Sequence, residues 1–345
     1  MNRQLGYSVY LSLIRNGSVS LDDIGNGAPV FLSLHIEEEF DENYSSDILR
    51  LCSRLHDKGC RIIADISKKT LEMLGTDVDA IAEKLHLSAL RIDYGFSLDE
   101  IKEIAKAHKT VLNASTMPLK EMLEVKKDGS IMAMHNFYPR KETGLDEEYF
   151  LEVNDALKQN GIEVLSFIPG KIKRGPLFEG LPTLEKQRFS NAYANYAEMV
   201  RKYNVDQVYL SEPGIDDKDL ERIELLNKED IITLPVSIDP EYEYLLDRVL
   251  SDRVDSPCGL VRVLESRKYS RSSGLQIAAR NNSERFRGSI TIDNSLYKRY
   301  CGEVQITKQD FPMDEKVNVI GRIESEYLRI LDLIQRGNRF ILRKD

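Results

Sequence analysis

The chain has 345 residues, 41% of them hydrophobic and 30% charged, with a formal net charge of -9. That composition fits a folded protein with a large domain of roughly 200–250 residues and a smaller one, and the acidic balance excludes nonspecific nucleic-acid binding, which neutralises phosphates with Lys and Arg. No apolar run approaches the roughly 18–20 residues of a membrane span, and Leu5–Ile14, broken by Tyr7, Ser8 and Ser12, lacks the pattern of a signal peptide, so a soluble cytoplasmic protein is expected.

In chain order, Leu5–Leu11 and the nearly continuous apolar run Pro29–Ile36 read as strands, the second buried on both faces. Ile48, Leu49, Cys52 and Leu55 recur at helical spacing before a stop near Gly59. Strand Arg61–Ser67 and a short helix Lys69–Leu74 follow, then strand Ala89–Gly95 and a helix opened at Ser97 by the capping box Ser97-Leu98-Asp99-Glu100. The alternation continues through Thr110–Ala114, helix Leu119–Val125, strand Ile131–Tyr138, helix Glu147–Gln159 and strand Glu163–Ile168. After a long loop come helix Phe189–Tyr203, strand Gln207–Ser211 and helix Asp216–Leu226. Eight strand-then-helix units in about 225 residues imply parallel βαβ units closing into a (β/α)8 barrel. An open doubly wound sheet would place a Gly-rich turn after the first strand, and Leu11-Ser12-Leu13-Ile14 is not one.

The expected domain organisation is a barrel over 1–228, a linker over 229–256 and a small mostly-β, barrel-like domain over 257–345. In the last, Gly259–Leu264, Leu275–Ala279, Gly288–Ile292, Cys301–Thr307, Lys316–Ile323 and Arg339–Leu342 read as β segments, with one helix carrying Tyr327, Ile330, Leu331 and Ile334. Charge divides the chain in the same place. Residues 257–345 carry 17 Lys+Arg against 11 Asp+Glu, and the remainder 31 against 46, which supports two domains with different roles. Cys52, Cys60, Cys258 and Cys301 form no CxxC pair and are expected as reduced thiols.

Polar residues gather where a barrel keeps its catalytic groups, at or just past the C-terminal ends of the strands: His35 with Glu37, Asp65, Asp93, Asn113, His135 with Asn136, and Glu212. The stretch Phe167–Glu185 belongs to the same rim. Its three Gly and three Pro make it an ordered loop rather than a helix or strand, and it carries Lys171, Lys173, Arg174, Glu179 and Glu185. No nucleophile elbow, HExxH or P-loop occurs. Lys68, Lys69 and Lys171 lie outside the strands where barrel lyases place a Schiff-base lysine, and two histidines on non-adjacent strands are a weak metal signal, so no metal or cofactor is expected. Abundant carboxylates suit glycoside hydrolysis, which needs one carboxyl held protonated and one ionised. Arg140, Lys171, Lys173 and Arg174 suit an anionic substrate; Tyr94, Phe137, Tyr138 and Phe178 suit the apolar face of a sugar.

The segments Gly6–Leu11, Ser33–Ile36, Leu90–Phe96, Asn113–Thr116, His135–Arg140 with Thr143–Leu145, and Arg174–Glu185 resemble the bacterial 6-phospho-N-acetylmuramidase family, formerly an uncharacterised "outer surface protein" group. The resemblance spans the chain, and its HNFYPR and RGPLFEGLPTLE segments are long and specific. It implies a glycosidase-type barrel followed by a cyclophilin-like β domain. It also implies cleavage of the β-1,4 bond of 6-phospho-N-acetylmuramyl-N-acetylglucosamine in cell-wall fragment recycling. Such a phosphorylated amino-sugar disaccharide calls for cations; Arg140, Arg174 and, from the basic second domain, Arg267, Arg271, Arg287 and Arg299 are candidates. Expected catalytic groups are Asp65 and Asp93 with Glu179 or Glu185; expected substrate-binding residues are His35, Asn113, His135, Asn136, Tyr138, Arg140, Arg174, Glu212, Arg267 and Arg287. The alternatives are a non-catalytic sugar-phosphate binding protein or a glycosidase for another phosphosugar.

Overall fold

The computed structural model describes residues 3–36, 39–175, 177–267 and 276–344, divided into compact units over residues 1–219 and 220–345. In the first unit, β1 (Gly6–Val9), β2 (Pro29–Ser33), β3 (Arg61–Ile66), β4 (Leu87–Ile92), β5 (Thr110–Asn113), β6 (Ile131–Met134), β7 (Glu163–Ile168) and β8 (Gln207–Leu210) close a barrel in sequence order. Every pairing is parallel, including β8 with β1. Helices α1 (Leu11–Arg15), α2 (Tyr44–Asp57), α3 (Lys68–Leu74), α4 (Val78–Lys84), α5 (Leu98–Ala107), α6 (Leu119–Lys126), α7 (Glu147–Gln159), α8 (Ala192–Arg201) and α9 (Asp217–Glu229) alternate with the strands. The expected barrel is therefore present, with α1 and α4 as additions. Ser97 forms the expected capping box on α5, its amide donating to Glu100 Oε2 at 2.7 Å.

The barrel interior is packed. Phe31, Ile63, Ala89, Val111, Met132, Met134, Leu165, Phe167 and Tyr209 form its core, with Phe31 and Phe137 edge-on to Phe167 at 5.1 Å. Tyr209 fits because its neighbour on β1 is Gly6: a Cβ there would lie 2.4 Å from the Tyr209 ring. Side chains along a strand alternate between faces, so the residues two positions past Phe31, Ile63, Ala89, Val111 and Met134 continue the same inward face. These are Ser33, Asp65, Arg91, Asn113 and Asn136, and Ser33, Asp65 and Arg91 are register partners. The upper layer of the barrel interior is thus polar.

In the second unit, β9 (Ile231–Ile238), β10 (Val249–Ser251), β11 (Leu260–Arg262), β12 (Ser289–Asp293), β13 (Val304–Thr307), β14 (Val317–Ile323) and β15 (Arg339–Arg343) form one sheet in the order β10-β15-β9-β14-β12-β13-β11. An Asp252↔Val263 bridge joins its two edges, giving a nearly closed barrel. Three expectations need correction. Residues 229–256 are not a linker, because β9 lies mid-sheet, parallel to β15 and antiparallel to β14; Pro235 inside it is a residue that normally marks an edge or a break. Residues 276–279 form no strand, and Leu275 lies outside the described residues. The expected helix is a run of 3-10 turns over Ser325–Leu333.

Asp293 ends β12 beside Glu303, buried, and burial together with the Glu303 and Asp314 charges pushes its carboxyl up to about 7. A carboxyl with a raised native pKa contributes stability below its unfolded value of 3.8 that is lost as pH rises toward about 7. Asp293→Asn, which keeps an acceptor for Gln305 Nε2, is expected to stabilise the protein at pH 8 by on the order of 3 kcal/mol and to have little effect at pH 4. Urea denaturation at the two pH values checks this; equal effects at both would refute it.

Candidate active site

Three adjacent strands deliver the central cluster. Asp65 is the fifth residue of β3, Asp93 follows β4 directly, and His35 lies two residues past β2. His35 Nε2 is 3.5 Å from Asp93 Oδ2 and 3.9 Å from Asp65 Oδ1, and has no hydrogen bond of its own. Its Nδ1 is held 2.8 Å from the Thr70 hydroxyl and 3.4 Å from that of Ser67, the N-cap of α3. Asp65 Oδ1 accepts the Leu34 amide at 2.9 Å, the Ser33 hydroxyl lies 3.4 Å from Oδ2, and Arg91 Nη1 approaches to 3.7 Å.

Burial raises the Asp65 pKa, opposed by the charges of His35 and Arg91. The two carboxylates differ in access, since the Asp65 side chain is 8% exposed and that of Asp93 30%. Arg91, itself buried, donates to Asn136 Oδ1 at 2.5 Å and so ties β3, β4 and the end of β6 together. Asn113 turns back on its own loop, its Oδ1 accepting the Ser115 amide at 3.0 Å. His35, Asp65 and Asp93 each offer an atom within 4.8 Å of the others, a spacing able to hold a metal ion. Arg91 is a permanent positive charge at that position and opposes one.

Two residues expected to bind substrate are shut away. His135 follows the inward-facing Met134 and therefore points outward, against α7: Nε2 meets Asn154 Oδ1 at 2.8 Å, Nδ1 meets Ser115 Oγ at 3.3 Å, and the ring packs on Phe150 at 4.6 Å. It is fully buried, which lowers its pKa to about 4 and keeps it neutral near pH 7. Glu212, one position past the inward-facing Ser211, is likewise fully buried. Its Oε2 accepts the amides of Gly170 and Leu181 and the Ser211 hydroxyl, each at 3.2 Å.

The rim loop is fastened from below. Glu185 receives Arg188 at both carboxylate oxygens, each at 2.6 Å, and the Gly144 amide at 2.8 Å. Arg188 hydrogen bonding, with desolvation opposing it, holds the Glu185 carboxyl down at about 2. Both oxygens are thus committed to holding the loop, and the expected catalytic role for Glu185 has no free oxygen to rest on. Glu179, near the loop tip, pairs with Lys141 at 2.8 Å. Arg140 is exposed, Tyr138 half-buried, and the Arg174 guanidinium lies 4.2 Å over the Tyr10 ring. Lys171 pairs with Asp216.

The second-unit arginines have partners inside that unit. Arg267 Nε is 3.9 Å from Glu303, Arg287 Nη2 bonds the Leu328 carbonyl at 3.1 Å and Asp332 at 2.9 Å, and Arg299 bonds the Tyr300 hydroxyl at 2.8 Å. Glu37 and Arg271 lie outside the described residues. Arg91, Tyr10 and Arg188 were not among the expected site residues. The first was legible from strand parity, two positions past the core residue Ala89.

A (β/α)8 barrel with paired carboxylates at the C-terminal ends of its strands has the architecture of a glycosidase. A family model described as 6-phospho-N-acetylmuramidase, N-terminal, matches residues 5–225, and its C-terminal counterpart matches residues 232–343. The chain belongs to the 6-phospho-N-acetylmuramidase family, and is thus an enzyme of the glycosidase class. It is similar to a conserved Enterococcus faecalis protein of unknown function, with 30% identity and a TM-score of 0.83 over 99% of this chain and 97% of that one. An uncharacterised B. cereus protein shares the fold at 22% identity, with a TM-score of 0.81 over 100% of both chains. No curated protein matches the chain.

Proposed function

We propose that the protein hydrolyses the β-1,4 bond of 6-phospho-N-acetylmuramyl-N-acetylglucosamine in the cytoplasm, as a step in cell-wall fragment recycling. Asp65 is the general acid and Asp93 the nucleophile. The observation that carries this reading is the Asp65–His35–Asp93 cluster: the buried carboxyl has a raised pKa, and the more exposed one lies beside the imidazole. Environments that differ in this way separate an acid from its partner. One oxygen of each carboxyl lies within 4.8 Å of the other, close enough for both groups to act on a single glycosidic bond.

In this reading the Asp65 proton goes to the departing N-acetylglucosamine oxygen while an Asp93 oxygen bonds the anomeric carbon. Water then cleaves that ester, giving its proton back to Asp65, and 6-phospho-N-acetylmuramic acid leaves with its configuration retained. His35 lies beside Asp93, and Arg140 and Arg174 on the rim suit the phosphate and the lactyl carboxylate. Tyr94, 54% exposed, and Phe178, 65% exposed, suit the apolar face of a sugar ring.

Purified enzyme incubated with the disaccharide and with its unphosphorylated form tests this. Release of N-acetylglucosamine from the phosphorylated sugar alone is expected. Binding without release would instead identify a sugar-phosphate binding protein, and release from a different phosphosugar would move the specificity.

A further inference from the structure

Glu212 is a buried carboxylate that the proposed chemistry does not use. One of its oxygens receives the amide at each foot of the rim loop, Gly170 and Leu181, both at 3.2 Å. The other oxygen, Oε1, is buried and has no hydrogen bond. Lys173 of the same loop places its Nζ 3.9 Å from Oε1 while donating to the Gly170 carbonyl at 2.7 Å. Gly170 is pressed against this residue: a Cβ there would lie 1.8 Å from the Glu212 carbonyl oxygen.

Between these feet the loop reaches outward. Leu177 and Phe178 are 49% and 65% exposed, and Phe178 sits at a φ of 56°. The ring that Arg174 covers belongs to Tyr10, whose hydroxyl donates to the Ser211 carbonyl at 2.5 Å, next to Glu212 in the chain. A buried, otherwise costly carboxylate therefore closes the loop at its base and adjoins the perch of Arg174.

We infer that Glu212 is a positioning residue for substrate binding: by joining both feet of the rim loop it fixes Arg174 where an anionic group of the substrate is bound. The inference rests on the phosphoglycosidase reading for its substrate, and on the geometry alone for the loop. Joining both feet through one buried acceptor, in addition to the Arg188 bond to the Gly180 carbonyl and the Lys171 and Ile172 amides on the Gly214 and Pro213 carbonyls, restricts the tip before substrate arrives, which lowers the ordering cost of binding. The signature is a change in KM rather than in kcat.

The test compares full-length wild type with Glu212→Ala and Glu212→Gln, using trypsin, whose sites Lys171, Lys173 and Arg174 lie in the loop. Cleavage there is expected to speed up at least about tenfold in Glu212→Ala, with cleavage elsewhere unchanged. Glu212→Gln, whose amide oxygen still accepts both amides, is expected to stay within about threefold of wild type. With the phosphorylated disaccharide, Glu212→Ala is expected to raise KM about tenfold and leave kcat within about threefold. Unchanged loop cleavage in Glu212→Ala overturns the inference, as does a kcat loss beyond about 100-fold at constant KM, which would make Glu212 a reacting group. If Glu212→Ala does not fold, Glu212→Asp, whose carboxylate is one methylene too short to hold both amides, takes its place with the same cleavage readout. A wild type inert toward the disaccharide defeats the functional reading, while the cleavage result still decides the loop.

Discussion

Asp65→Asn is expected to cut kcat/KM on the phosphorylated disaccharide by about 10³-fold or more while leaving the protein folded, because general acid catalysis contributes on the order of 10²–10⁴. Asn keeps the shape of the side chain and an acceptor for the Leu34 amide; what it lacks is the proton. An aryl glycoside of the same phosphosugar has a leaving group that departs unprotonated, so Asp65→Asn should retain most of its kcat/KM on that substrate, while kcat falls because Asp65 also takes the proton from water in the second step. Asp93→Asn, without the carboxylate that attacks the anomeric carbon, should lose activity on both. Wild-type activity should fall as pH rises through the raised Asp65 pKa, since the ionised form has no proton to give. Near-normal turnover of the disaccharide by Asp65→Asn would end its assignment as the acid.

Arg188→Met is the substitution expected to cost the most stability, about 3–5 kcal/mol. The Arg188 side chain is 0% exposed and serves six contacts: both Glu185 oxygens, and the carbonyls of Tyr138, Pro139, Gly180 and Arg140 at 3.0, 3.5, 2.7 and 2.9 Å. Removing it orphans buried carbonyls and releases both rim segments at once. The control is Lys186→Met, whose half-exposed ammonium pairs with Glu147 and Glu198 and should cost no more than about 1 kcal/mol. The Arg188 contribution is also pH-dependent. Glu185 has its native pKa lowered to about 2, so this stability is complete above the ordinary value of 4.5 and is lost as pH falls toward about 2. Melting curves at pH 7 and pH 3 should show the cost of Arg188→Met shrinking at the lower pH; equal melting temperatures for Arg188→Met and wild type at pH 7 would contradict the reading.

Much of this protein was legible in its sequence because local patterns act over a few residues. Apolar runs alternating with amphipathic helices specify eight βα units, and the Ser97–Glu100 capping box marks a helix start that the structure bears out. The rule that polar residues at strand C-terminal ends form a barrel's site brought His35, Asp65, Asp93, Asn113 and Asn136 into view together, and the structure gathers His35, Asp65 and Asp93 into one cluster. Tertiary structure decided which way each rim residue faces. His135 and Glu212 stand at strand ends like the others, yet His135 turns outward against α7 and Glu212 under the feet of the rim loop, and a side-chain period of two makes a one-position offset decisive. The Glu185–Arg188 fastening was hidden for a related reason: the pair is close in sequence, but the carbonyls it holds, Tyr138 to Arg140, lie about 50 residues away. In the second unit, β9 follows a barrel helix and contains a proline, and only pairing with β15, more than 100 residues later, makes it a central strand. Periodicity reports the element and the position along it, whereas facing, partners and burial are set by long-range contacts that no local window contains.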